Sequence, residues 1–375
     1  MTYSYCIIIL FLILPSFCLE ENATVVTDIR NKDYEVAKYI AVLFIIILLL
    51  YGIISNTLLA TVLFCKDRNN HYSRDFTLIV LQVIISNFTA FLPQILVVLP
   101  EIFKTKNNSY SSETTWINRA FSTLNTFSFF SMLHFLLLLT LNRCVALFLP
   151  KRCSLFESAK LYFLIAVVWL SVLAITFADF YYCTRRFLVW NLSWEASCTE
   201  SSGMSKIWWR IYHDYALIIL HFVLFIYIGI FYNICRKRHF TINNNGKQHI
   251  TNTGAEHRSN AMKIPHYEWS MLIQAAWNCG VLEIGVLIYN FLSPMLTKIF
   301  GKEADLPSRI FINCYIIFIC SVLPTVHFTY NKQSRTIVKY HLYHWLRLKM
   351  GHLEINPSSK VCWDARNNLN VVTVA

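Results

Sequence analysis

Asn142-Arg143-Cys144 closes an apolar run from Phe121 to Leu141, and Pro150 follows Arg143 by seven residues. A guanidinium keeps its charge at physiological pH and directs several hydrogen bonds at once. At the end of an apolar helix it is costly unless that end is wet or the charge is paired. Two uses fit: an anchor that snorkels to lipid headgroups, or a contact offered to a partner at the membrane edge. Glu283 is a second group of this kind, a carboxylate well inside another apolar run. There it serves either a function or, protonated and hydrogen-bonded, packing. Catalysis inside a membrane needs paired aspartates, a Ser/His couple or clustered histidines. The apolar runs offer no carboxylate pair, and His341 and His344 lack a third ligand, so no enzyme, metal site or cofactor is expected.

The elements that position these residues follow from composition. Of 375 residues, 56% are hydrophobic and 14% charged, too few charges for a water-facing exterior. A membrane span needs about 20 apolar residues. Seven runs qualify: Ala37–Phe64, Phe76–Leu99, Phe121–Leu141, Leu161–Phe180, Ile211–Ile234, Trp269–Leu292 and Ile310–Tyr330. The expected fold is therefore an all-α membrane protein, a seven-transmembrane helix bundle over residues 37–330. Beyond it Val338, Leu342, Trp345 and Leu346 recur at helical spacing, flanked by Arg335, Lys339, Arg347 and Lys349. That pattern predicts an amphipathic helix over residues 331–350, lying in the lipid interface, before a tail over 351–375. Thr241–Asn260 is polar and Asn-rich and reads as disordered. Cys6–Leu14 is too short to span, and Ser16 and Cys18 precede a cut ahead of Leu19. Residues 1–18 read as a signal peptide, or else as an uncleaved segment dipping into the membrane, with an extracellular tail over 19–36.

Orientation rests on two counts. With the N-terminus outside, the inner segments hold 20 of the 33 Lys and Arg, and nearly all of the net +12 lies on that side. Because this charge is split among short loops, it does not point to nucleic acid. The sequons at Asn22, Asn107 and Asn191 all fall outside in the same arrangement, as glycosylation requires. Cys183 and Cys198 lie together in one outer loop, where they can bridge each other or remain free.

Several residues then fall in register. Trp169 lies twenty-six residues after Arg143, and the seventh run carries Leu323-Pro324-Thr325-Val326-His327 followed by Asn331-Lys332-Gln333-Ser334-Arg335. Together with Asn142-Arg143-Cys144 and Pro150, these resemble the motifs of rhodopsin-like G-protein-coupled receptors over residues 37–350. The ending of the third run, Leu272-Ile273-Gln274 and the Asn-Lys-x-x-Arg after the seventh are most similar to the nematode serpentine chemoreceptors, class X type. The departures are specific. Asn142 stands in place of the family's acid, the fifth and sixth runs lack its prolines, and no Cys tops the third run to bridge the second outer loop.

The resemblance implies a plasma-membrane receptor, in sensory cilia where the cell has them. It would bind a small extracellular ligand and pass the signal to a cytoplasmic heterotrimeric G protein. Asn142, Arg143, Cys144, Pro150 and Pro324 would serve coupling, and Glu268 would replace the missing acid as the partner of Arg143. Asn125 would line the ligand pocket, its neutral amide disfavouring a protonated amine, and Phe129, Trp277 and Glu283 are further pocket candidates. A seven-span channel or transporter, or a non-signalling accessory receptor, is the competing reading. The halves show no internal repeat of the transporter kind.

Overall fold

The computed structural model describes residues 34–64, 74–103, 115–148, 158–190, 192–198, 203–248, 266–301, 304–332 and 334–340, with Ile29, Phe156 and Tyr343. Seven helices within these residues are long and apolar enough to cross a membrane. They are α1 (Glu35–Phe64), α2 (Arg74–Phe103), α3 (Thr115–Phe148), α4 (Ser158–Tyr182), α5 (Gly203–Gln248), α6 and α7 (Asp305–Tyr330). α6 is built from His266–Leu287, a π-turn at Ile288–Leu292 and Ser293–Phe300. The protein is an all-α, seven-helix membrane bundle, as composition requires.

The bundle is apolar on its outer surface as well as in its core, and polar groups are buried among the core residues. Phe163, Leu170, Phe177, Ile218 and Phe225 stand exposed on the outer surface, while Asn56, Asn87, Gln94, Ser131, Thr140 and Gln274 are buried. Lipid accepts the apolar face, and most of these polar groups bond their own helix backbone or a neighbouring helix. Asn56 Nδ2 donates to the carbonyls of Gly52 at 2.8 Å and Cys320 at 2.9 Å, and its Oδ1 accepts from Asn87 Nδ2 at 3.0 Å. One amide thus ties α1, α2 and α7. Gly52 permits the approach: a Cβ there would meet Phe91 at 2.6 Å. Trp169 of α4 donates to Gln82 of α2 at 3.0 Å and stacks on Phe127 of α3. His134 and Thr140 of α3 bond the hydroxyls of Tyr215 and Tyr227 of α5 at 2.8 and 3.1 Å. α3 is the central column, 61% buried over its span against 17% for α4.

Prolines shape two helices without breaking them. Pro93 has no N–H to donate, and the turn after it, Gln94–Val98, widens to a π-turn before the helix resumes. Pro294 likewise follows the π-turn of α6. α5 corrects an expectation. It continues for 46 residues, through Arg236-Lys237-Arg238 to Gln248, so that Thr241–Gln248 is helical rather than disordered. A helix already formed propagates at little cost per residue, and Asn opposes it by only a fraction of a kcal/mol.

At the end of α7, Asn331 turns the chain. Its backbone is extended, and its N–H caps α7 on the His327 carbonyl at 3.0 Å. Its side-chain Oδ1 accepts from the N–H of Ser334 at 3.0 Å, an N-cap for the helix at residues 334–340. At the opposite end of the bundle, β1 (Cys183–Leu188) and β2 (Ser193–Cys198) form an antiparallel hairpin.

Candidate functional site

The hairpin roofs one end of the bundle, and α3 holds it in place. Ser122 Oγ donates to the carbonyl of Arg185 at 2.8 Å. Asn118 makes a reciprocal pair with Phe187, accepting its N–H at 2.9 Å and donating to its carbonyl at 3.2 Å. These bonds tether α3 to the loop, where the receptors it resembles use a disulfide. From the other side, Asn313 of α7 donates to the carbonyl of Leu192 at 2.6 Å. Leu192 sits at φ 51° in the tight turn, a left-handed backbone that few non-glycine residues adopt.

Within the hairpin, Cys183 is disulfide-bonded, and its directly opposed residue in the register is Cys198. Directly opposed positions of an antiparallel pair lie within disulfide reach. β1 alternates, with Cys183, Arg185 and Phe187 turned inward and Arg186 exposed.

Arg185 is the charge that this geometry places at the roof. Its Nε donates to Asp179 Oδ2 at 2.9 Å, and its guanidinium centre lies 4.4 Å from the Tyr212 ring and 5.3 Å from Trp209. Burial opposes the charge, but Tyr212, Asp179 and Tyr289 outweigh it and hold the Arg185 pKa above its ordinary value. Asp179 is 2% exposed. It also accepts from Thr126 Oγ1 at 2.9 Å and Trp208 Nε1 at 3.4 Å. One carboxylate therefore joins α3, α4, α5 and the hairpin. Neither Asp179 nor Arg185 stands out in the sequence as a site residue. The available signal was an acid closing the fourth run, six residues before an arginine.

Beneath the roof lies a cavity of about 140 Å³. Asn125 and Phe129 of α3 line it, as do Arg185, Tyr212, His213 and Tyr289. Two expected pocket residues are elsewhere. Trp277 is 53% exposed on the lipid-facing side of α6, beside Tyr227 and Phe231 in a separate apolar groove. Glu283 is buried, but it faces His221 of α5 at 3.7 Å and does not line the cavity. Both corrections have one cause: helix rotation, which spacing from a neighbouring motif does not fix.

At the opposite end, Arg143 is 8% exposed, and its guanidinium centre lies 4.4 Å over the ring of Phe76. Asp75, beside Phe76, lies within reach of its charge and of that of Arg74. Among the described residues, α2 thus meets Arg143. Asn142 is buried beside it, Cys144 is a half-buried free thiol, and Pro324 is buried in α7. One turn on from Pro324, His327 bonds Gln274 of α6 at 3.1 Å and Ser334 at 2.9 Å. Glu268 lies on the first turn of α6, with its side chain outside the described residues, as are Pro150 and the sequons at Asn22, Asn107 and Asn191.

Residues 73–226, from α2 to within α5, match the family described as Caenorhabditis serpentine receptor-like protein, class xa. No curated protein matches the chain.

Proposed function

From the match of residues 73–226 to a serpentine receptor-like family, we propose that the chain is a chemosensory G-protein-coupled receptor. An extracellular ligand enters the cavity under the hairpin, and the Arg143 end meets a cytoplasmic heterotrimeric G protein. The observation that carries this reading is the course of α3. Asn125 lines the cavity and Arg143 lies eighteen residues further along the same helix, about 27 Å away at 1.5 Å per residue. A ligand that binds one arrangement of α3 and its neighbours more tightly shifts the population at the far end. The remaining assignments follow the same orientation: N-terminus outside, C-terminus inside, glycans at Asn22, Asn107 and Asn191, and a Cys183–Cys198 bridge. Residues 1–18 are a signal peptide, 19–36 an outer tail, 37–330 the seven-helix domain, 331–350 an interfacial helix and 351–375 an inner tail.

The test is a calcium or cyclic-nucleotide readout in cells expressing the receptor, screened against volatile and water-soluble odorants, with Arg143→Ala as control. The expected result is a ligand-evoked response that Arg143→Ala abolishes at equal surface expression. An evoked response of the same size in Arg143→Ala would overturn the assignment of the coupling end.

A further inference from the structure

The geometry points to a ligand class: we propose that the cavity under the hairpin takes a neutral, single-ring molecule carrying one hydrogen-bonding group such as a carbonyl. This rests on the cavity being the receptor's ligand site, and it deepens that reading by fixing size and charge.

Size comes first. An apolar protein cavity of about 150 Å³ accommodates benzene. At about 140 Å³ this cavity, which is partly open, takes one ring, with room for a small substituent only toward its opening. The aromatic side chains of Phe129, Tyr212 and Tyr289 on its wall suit a flat, apolar body.

Charge comes second. Among the described lining residues the one Lys, Arg, Asp or Glu is Arg185, and its charge is already answered. Nε and Nη2 point at the two oxygens of Asp179, and Tyr212 and Trp209 lie along its faces. An anion entering here would lose its water and meet the Asp179 carboxylate behind the guanidinium. A protonated amine meets no carboxylate among the described lining residues. Asp179 accepts four hydrogen bonds and lies behind the lining, and Glu283 faces His221. An ionised ligand of either sign would therefore be buried without compensation.

The polar contact comes third. Asn125 reaches the cavity, and its side-chain amide makes no hydrogen bond among the described residues. It offers both a donor and an acceptor to a ligand. Asn290, also in the lining, has its Nδ2 committed to the Val286 carbonyl at 2.8 Å. Asn125 is thus placed to fix ligand orientation, with His213 as a second polar group on the wall.

The experiment uses the full-length chain in lipid nanodiscs and four single-ring probes of similar size: acetophenone, ethylbenzene, benzylamine and benzoate. Binding is read by thermal stabilisation and by tryptophan fluorescence, since Trp194 and Trp209 line the cavity. Acetophenone should bind most tightly, ethylbenzene about tenfold more weakly, and the two ions not measurably. Asn125→Leu should bring acetophenone down to the level of ethylbenzene while leaving ethylbenzene unchanged. Ala216→Leu, which fills the cavity from α5, should weaken both neutral probes together and guards against a misfolded Asn125 variant. Benzylamine or benzoate binding as tightly as acetophenone, or no probe binding at all, overturns the class. Because the assay contains no G protein, probe binding with silent cells would sink the signalling reading alone.

Discussion

At the scale of single residues, the buried ion pair at the roof makes the largest energetic demand. Asp179→Asn keeps the shape of the side chain but leaves Arg185 buried without its counter-charge. Breaking a buried pair from one side costs about 3–5 kcal/mol. The expected outcome is a marked fall in melting temperature and surface expression, partly restored by adding Arg185→Leu. Native stability in the single variant would show that the pair contributes little. At the other end, Arg143 lies on Phe76. A desolvated cation–π contact contributes about 0.5–2 kcal/mol. If it restrains Arg143 in the resting state, Phe76→Leu raises basal signalling, about fivefold for each kcal/mol lost, and Phe76→Tyr leaves it unchanged. Equal basal signals in all three, at matched surface levels, would remove Phe76 from the restraint. The same measurement separates Phe76 from Glu268: Glu268→Ala raises basal activity only if α6 also contributes.

At the scale of elements, Asn331 is one residue with two tasks, closing α7 and opening the helix that follows. Its side chain caps Ser334, while Arg335 donates to the carbonyls of Phe328 and Thr329. Loss of an N-cap costs about 0.5–2 kcal/mol. In Asn331→Ala, amide hydrogens of residues 334–340 should exchange several-fold faster, with α7 unaffected; unchanged exchange would mean that lipid contact, not the cap, holds that helix. The hairpin shows why some elements escape a reading of hydropathy. β1 alternates inward and outward as a strand should, but one of its inward positions is Arg185. An arginine there reads as a surface residue until its carboxylate is located. The length of α5 escaped for the opposite reason: a polar, Asn-rich composition does not itself stop a helix that packing has already started.

At the scale of the whole molecule, the apolar exterior leaves the bundle readable as a membrane protein, and the charge asymmetry is the argument for its proposed direction. With 20 of the 33 Lys and Arg in the segments taken as inner, the proposed orientation has the N-terminus outside. Epitope tags at the two ends of the chain in intact cells check this. Antibody should reach the amino end alone, and glycosidase treatment should shift the mass of the protein. Labelling of the carboxyl end before permeabilisation would invert the topology and exchange the roles of the cavity and the Arg143 end.

The amino-acid sequence by itself determined the seven helices, their approximate limits and the register of Arg143 with Trp169. Run length and spacing along one chain decide all three. Only the tertiary structure decided which side of each helix faces inward. In a membrane protein apolar residues serve both the lipid face and the packed face, so hydropathy periodicity hardly distinguishes the two. That is why Trp277 turned out to face lipid, Glu283 to face His221, and Asp179 to join four elements. A buried charge is recognisable only when its partner is seen, and the partners here come from elsewhere in the fold.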